Sequence, residues 1–124
     1  MDIEKRQEIE RAIVREVLTR LVARGWKIDF FDNGGGREKL TGYHSDPIDD
    51  VMPDAFAADT CEIYLSRQML KTDWSWKRRS GVICLVLGND GYDVIADHTC
   101  NDDFETVITE VTDKYEALCF PMFS

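Results

Sequence analysis

The chain has 124 residues, of which 44% are hydrophobic and 31% are charged, and its formal net charge is −9. That length and composition fit one compact α+β domain over residues 1–124, and no apolar run approaches the roughly 20 residues of a membrane-spanning helix. The charged N-terminal residues also lack the apolar middle of a secretory signal, so we expect a cytoplasmic protein without membrane contact.

The charge is divided into blocks along the chain. Residues 41–66 contain six acidic side chains and no lysine or arginine, and residues 81–124 contain nine acidic side chains and one basic one. Residues 67–80, between them, contain five basic side chains and one acidic. Because so acidic a chain lacks a general positive face for phosphates, direct nucleic-acid binding is disfavoured and a protein partner, basic in character, is favoured.

Two long amphipathic helices are predicted near the ends of the chain. Residues 3–24 and residues 102–119 both repeat apolar side chains at helical spacing. Gly25 follows the first helix where a left-handed residue commonly ends one. A short third helix is predicted to begin at Asp46-Pro47, with Pro53 ending or kinking it.

Four strands are predicted between the helices, at residues 26–32, 61–67, 81–87 and 92–99. In the first, the alternation places Trp26, Ile28 and Phe30 on one buried side. In the third, the run is apolar at every position from Val82, which indicates a central strand covered on both faces or one whose second face is only partly wet. Cys84, within this run, is expected to be a small core residue. In the fourth, the alternation separates Val94, Ala96 and His98 from Asp93, Ile95, Asp97 and Thr99.

The element order predicts an α+β fold: a four-stranded, mostly antiparallel sheet with two main helices packed on one face, in the order α-β-α(short)-β-β-β-α. The last three strands are joined by connections too short for parallel crossovers, which favours a meander. Gly34 to Gly36 is predicted to be a loop, because neither a phosphate-binding lysine motif nor a helix pattern follows it.

The stretch GNDGYDVIADHT, residues 88–99, combines acidic side chains, two glycines and a histidine. Asn-Asp-Gly supplies residues that tolerate positive φ, so the stretch predicts a tight hairpin. With the apolar VICLVL before it and an acidic helix after it, the stretch resembles small proteins encoded by bacteriophages and prophages, in which a GNDGxDVIxD hairpin recurs. The resemblance implies a phage or prophage accessory protein of the α+β class, and it implies no activity.

The same stretch does not support a metal or catalytic site. An EF-hand register would place Val86 at the first ligand position, and Val86 has no ligand oxygen. Asp93 and Asp97 lie about 13 Å apart along a strand, too far for one ion or a carboxylate pair. The four cysteines form no CxxC pair and are expected to be reduced. We therefore assign no catalytic, cofactor-binding or metal-ligating residue and expect no cofactor.

Two surfaces are candidates for contact with a partner. The connection LKTDWSWKRRSG, residues 70–81, mixes aromatic and basic side chains, as protein-binding hot spots and nucleic-acid-binding segments both do, although packed tryptophans with solvated basic residues would also explain it. Its candidate residues are Trp74, Trp76, Lys77, Arg78 and Arg79. The second candidate is an acidic surface formed by Asp49, Asp50, Asp93, Asp97, Asp102 and Glu105.

Three functional hypotheses remain open at this point. The first is a non-enzymatic interaction protein of phage or prophage origin, with a homodimer formed between a basic segment and an acidic block as one alternative. The second is an acidic inhibitor that imitates DNA and blocks a host nuclease or defence system. The third, which has the least support, is a small enzyme that uses His44 or His98 with nearby aspartates.

Overall fold

The structure, a computed structural model, describes residues 3–32, 37–39, 47–56, 60–70, 76–87, 94–99 and 102–119. In chain order the elements are α1 (Ile3–Ala23), β1 (Lys27–Asp32), β2 (Arg37–Lys39), α2 (Pro47–Ala55), β3 (Thr60–Leu70), β4 (Trp76–Val86), β5 (Ile95–His98) and α3 (Asp102–Cys119). The predicted α+β class and the order of the three helices and four main strands are confirmed.

The strands form one antiparallel sheet in the order β2-β1-β3-β4-β5. The edge strand β2 is an addition to the prediction, and it pairs with the end of β1 from Phe30–Lys39 to Asp32–Arg37. Its sequence, Arg-Glu-Lys, has no apolar alternation, so only its pairing with β1 defines it as a strand. The predicted loop at Gly34 to Gly36 lies outside the described residues.

The two central strands are longer than predicted. β3 and β4 pair at eleven positions, from Thr60–Val86 to Leu70–Trp76, so most of the predicted connection at residues 70–81 is strand. β1 reaches along β3 only as far as Ser66. Residues 67–70 and 76–80 therefore continue beyond the neighbouring strands as a two-stranded ribbon, which we call the arm.

Two β-bulges change which side chains face the helices. In β1 the pairing shifts between Ile28 and Phe30, so that Phe30 lies on the opposite face from Ile28 and the predicted alternation is wrong there. In β5 the pairing shifts in the same way: Ile95 lies opposite Leu85, but His98 lies opposite Ile83. The extra residue places Ile95 on the same face as His98, contrary to the prediction.

The helices cover one face of the sheet and enclose one hydrophobic core. Its apolar members come from the two long helices, from α2 and from alternate positions of the strands; the strand members include Ile28, Phe31, Ile63, Leu65, Ile83 and Leu85. α2 runs through Pro53 as far as Ala55 and contributes Ile48, Val51 and Met52 to this core. Gly25 ends α1 with φ 97°, as predicted.

The two long helices run antiparallel and are joined along their outer surface by ion pairs. Arg20 contacts both Glu16, at 3.2 Å, and Glu110, at 3.1 Å, and Lys114 contacts Glu16 at 2.7 Å. These pairs are largely exposed, so each contributes little to stability. They do neutralise acidic side chains between α1 and α3.

Candidate functional site

The sheet face opposite the helices, which we call the outer face, is the candidate site. Its residues alternate with the core positions of the four main strands: Lys27, Phe30, Asp32, Thr60, Glu62, Tyr64, Ser66, Ser80, Val82, Cys84, Val86 and Asp97. Five of them, Lys27, Thr60, Glu62, Ser80 and Asp97, are exposed, Ser66 is buried, and the other six are half-buried. The second face of β4 is thus partly wet, as one reading of its apolar run predicted.

One row of side chains crosses the outer face from strand to strand. Asp32 is paired with Glu62, Glu62 with Cys84, and Cys84 with Asp97, and on its other side Asp32 is paired with Arg37 of the edge strand β2. Because neighbouring strands lie about 4.8 Å apart, this acidic row spans roughly 14 Å. An open groove of about 290 Å³ follows the row, and it is lined by Asp32, Thr60, Cys61, Glu62, Cys84, Leu85 and Val86.

The pKa of the Cys84 thiol responds to the carboxylates of the acidic row. Burial raises the pKa of the Cys84 thiol, and the carboxylates of Glu62 and Asp97 raise it further. The expectation that Cys84 is a core residue is wrong, because its strand position alternates with the core residues Ile83 and Leu85. Burial and both carboxylates therefore disfavour the thiolate form of Cys84.

An aromatic pair lies directly beside the acidic row. The rings of Phe30 and Tyr64 stack with their centroids 4.6 Å apart at an interplanar angle of 27°. The Tyr64 hydroxyl donates a hydrogen bond to the Glu62 carboxylate, which links the pair to the row. Aromatic side chains next to charged groups are common at protein–protein contact surfaces.

The predicted acidic surface is divided by the fold. Asp50 is buried in α2, with 7% of its surface exposed, so it cannot belong to an exposed surface. Asp49, also in α2, forms an ion pair with Arg15 at 2.9 Å. Asp97 lies on the outer face, and Asp93 is outside the described residues.

The remaining two members of that surface, Asp102 and Glu105, are exposed on α3, which packs on the other side of the sheet. With Asp113 and Glu116 they form a stripe at helical spacing, the α3 stripe. No described basic residue forms an ion pair with any of its four members. The α3 stripe is a second acidic surface, separate from the outer face.

The predicted aromatic and basic surface falls mainly in the arm. The backbone of Trp76, Lys77, Arg78 and Arg79 forms the first part of β4, paired with the end of β3. Their side chains, and the whole of Trp74, lie outside the described part of the chain. The charge of the arm is therefore known from the sequence and its backbone position from the pairing.

Among the described residues, the ring of His98 has no carboxylate as a hydrogen-bond partner. Its ring Nδ1 is 3.0 Å from the Thr99 carbonyl oxygen, and Asp97 accepts a hydrogen bond from the His98 backbone N–H instead of contacting the ring. His44 lies outside the described residues. Within the described ranges no group of three or more His, Cys, Asp or Glu side chains is placed to hold a metal ion.

A polar cluster around Asp103 was not predicted from the sequence. Its carboxylate accepts hydrogen bonds from the Trp26 indole at 2.9 Å, from Arg24 at 2.9 Å and from Arg67 at 3.0 Å. The Trp26 bond above all, with help from both guanidiniums, holds the pKa of Asp103 below its ordinary value against the opposing effect of burial. The cluster ties the start of α3 to the end of α1 and to β3.

Comparison of the chain with models of protein families, with curated proteins and with solved structures found no match. None of the described helices has the length and apolar character needed to cross a membrane. The resemblance to phage-encoded proteins stays a prediction.

Proposed function

We propose that the protein is a non-enzymatic accessory protein of a phage or prophage that acts by binding another protein, and that its outer face is the contact surface for a basic partner. The observation that carries the proposal is the acidic row lying against the stacked pair of Phe30 and Tyr64. The origin assigned to the protein rests on the resemblance alone, which covers roughly residues 82–118.

The acidic row suits a basic polypeptide, and Lys27 and Arg37, which pair with Ser66 and Asp32, lie at the edge of this acidic region. Glu62, which lines the groove, and Asp97, at the end of the row, are exposed and can meet lysine or arginine side chains. Charges at the rim of an interface chiefly speed association and select the partner by sign. The raised pKa of the Cys84 thiol, to which both carboxylates contribute after burial, supports a negative potential beside Cys84.

The apolar side chains of the outer face would add hydrophobic burial to the attraction between charges. Phe30, Tyr64 and Val82 are half-buried within the sheet, so a partner that covered them would remove further apolar surface from water. The groove, at about 290 Å³ and open to solvent, is at the lower limit for a small-molecule site. It fits an inserted side chain of a partner better than a complete small ligand.

Imitation of DNA is less well supported by the same geometry. That hypothesis requires carboxylates at regular intervals along one surface. Among the residues it depends on, Asp50 is buried and Asp49 is paired with Arg15, which leaves only the α3 stripe exposed. The placement of these residues favours the protein-binding proposal.

Titration with deca-lysine as a basic probe tests the proposal. In the double variant Glu62→Gln/Asp97→Asn the outer face loses two charges but keeps its hydrogen-bond acceptors. We expect the variant to bind the peptide about tenfold more weakly, since loss of about 1.4 kcal/mol is tenfold in affinity. The matched control Glu105→Gln/Asp113→Asn removes the same charge from the α3 stripe and should leave binding nearly unchanged. Equal weakening by both pairs would show that only the net charge matters, and would contradict the proposal.

A further inference from the structure

We infer that the outer face binds a second copy of this chain, whose basic arm lies along the acidic row. The inference rests on the proposed function, because it gives the outer face a particular basic partner. It joins two features of the fold that no activity explains: an open negative face and a positive arm that extends from the same two strands.

The arm has no neighbouring strand on either side in the described structure, and its first residue, Arg67, is anchored to Asp103 of α3. β1 stops at Ser66 of β3, and β5 pairs with β4 only from Ile83 to Leu85, with one more hydrogen bond to Val82. A two-stranded ribbon alone is marginally stable in water. A surface that covered the arm beyond Arg67 would therefore stabilise it.

The charges of the arm and the acidic row are complementary. The described part of the arm contains no acidic residue and four basic ones, of which Arg67 is bonded to Asp103 and Lys77, Arg78 and Arg79 follow in β4, whereas residues 1–66 and 81–124 together sum to −13. The acidic row crosses the same two strands at Glu62 and Cys84, with Asp32 and Asp97 on the flanking strands. An arm two strands wide would thus lie on the centre of the row with a carboxylate on either side.

The spacing of these features permits a two-fold arrangement. Gln68, the arm residue paired with Arg78, lies six residues after Glu62 in β3. The distance between them along the strand is about 20 Å. Two copies could stack outer face to outer face, related by a two-fold axis that runs across the strands at the level of Leu65. Each arm would then lie on the acidic row of the other copy. The surface is then self-complementary, as an isologous dimer requires.

The middle of such an interface would combine an aromatic row with a polar one. The row of Phe30, Tyr64 and Val82 lies one residue from the axis, so it would meet the row of Lys27, Ser66 and Ser80 of the second copy, and the lysine would lie near the stacked aromatic pair. Aromatic side chains at the centre with charges towards the ends are the usual arrangement of a protein interface. Two sheets stacked in this way would lie about 10 Å apart.

The size of the contact predicts a weak dimer. Four strands about 4.8 Å apart and six residues long present roughly 400 Å², and the arm adds about 150 Å², so that two copies would bury on the order of 1,000 Å². That area is near the lower limit for a specific interface. We therefore expect association at high protein concentration and low salt, and dissociation when salt screens the exposed charges.

Light scattering after size exclusion tests the inference on the full chain, whose monomer mass is 14.3 kDa. We expect a mass approaching twice that value at low salt and the monomer mass at about 1 M salt, where the screening length is about 3 Å. A chain that stays monomeric at every concentration and salt level would overturn the inference. If it still bound deca-lysine through the outer face, the proposed function would stand.

Charge exchange between the two surfaces gives the sharper result. The arm variant Arg78→Glu/Arg79→Glu and the face variant Glu62→Lys/Asp97→Lys should each be monomeric, because each brings like charges together. An equimolar mixture of the two should recover the dimer mass, since every arm then meets a face of opposite charge. Two consecutive arm residues are changed because neighbours in a strand point to opposite faces.

The control Glu105→Lys/Asp113→Lys changes the charge by the same amount as the face variant, on the α3 stripe, and should leave the dimer intact. Thermal melting checks that each variant is folded. A dimer that persists in both single variants, or a mixture of folded variants that stays monomeric, would rule out the arm as the occupant of the outer face.

Discussion

Glu62 lies directly opposite Cys84 in the pairing of β3 with β4, and its carboxylate is second only to burial in raising the pKa of the Cys84 thiol. Since the thiolate is the nucleophile, Cys84 should react with iodoacetamide more slowly at pH 8 than a free cysteine does. Glu62→Gln removes the negative charge, lowers the pKa of the thiol and should make alkylation faster. Mass spectrometry that resolves each cysteine measures the rate. Glu105→Gln, a change of equal charge on α3, should have no effect, and an unchanged rate in Glu62→Gln would contradict the electrostatic account.

The contact between Gly81 and Phe104 predicts a stability effect. A Cβ at residue 81 would lie 2.5 Å from the Phe104 ring, whose side chain is fully buried, so Gly81→Ala forces the ring or the strand to move. We expect a loss of about 1–3 kcal/mol in the free energy of unfolding, measured by urea denaturation. In a Phe104→Leu background the added methyl group should cost less. A loss of the same size in both backgrounds would show that the ring is not the cause.

The hydrogen bonds to Asp103 predict a dependence of stability on pH. The pKa of Asp103 in the folded chain is lowered below its ordinary value of 3.8, so its contribution is fully present above about that pH and is lost as the pH falls through the folded pKa. Asp103→Asn should therefore lower the free energy of unfolding by about 1–3 kcal/mol at pH 7. The difference from the parent protein should shrink below pH 4.

A matched control for this cluster is Asp113→Asn, which removes an exposed carboxylate of α3 and should change stability by no more than about 0.5 kcal/mol at either pH. If Asp103→Asn were equally mild at pH 7, the three hydrogen bonds would not be holding α3 on the sheet.

The helices and the central strands could be predicted because their patterns reflect burial. The apolar repeats of α1 and α3 each lie on one face of the helix, and that face packs in the core. In β3, Ile63 and Leu65 alternate with Glu62 and Tyr64 as expected. The bulges at Asp29 in β1 and at Ala96 in β5 left no clear mark in the sequence. Each one moves later side chains to the other face, which is why Phe30 and Ile95 were misplaced.

The arm and the outer face were harder to predict for a related reason. Residues 76–80 are recognised as a strand by their pairing with β3, and their sequence shows no alternation of apolar and polar residues. Cys84 stands in a continuous apolar run, where no pattern distinguishes the helix side from the outer side. The acidic row depends on the register of four strands, which a single sequence does not give.

The most direct test of the outer face as a contact surface is the alkylation rate of Cys84 when deca-lysine is added, with sodium chloride of equal ionic strength as the control. A basic chain lying along the acidic row would hinder access to the half-buried thiol and would also offset the carboxylates that disfavour the thiolate, so the rate should depart progressively from that of the salt control as the peptide concentration rises. A rate that is the same with the peptide as with the salt, under conditions where the peptide binds, would place the bound chain elsewhere and contradict the proposal.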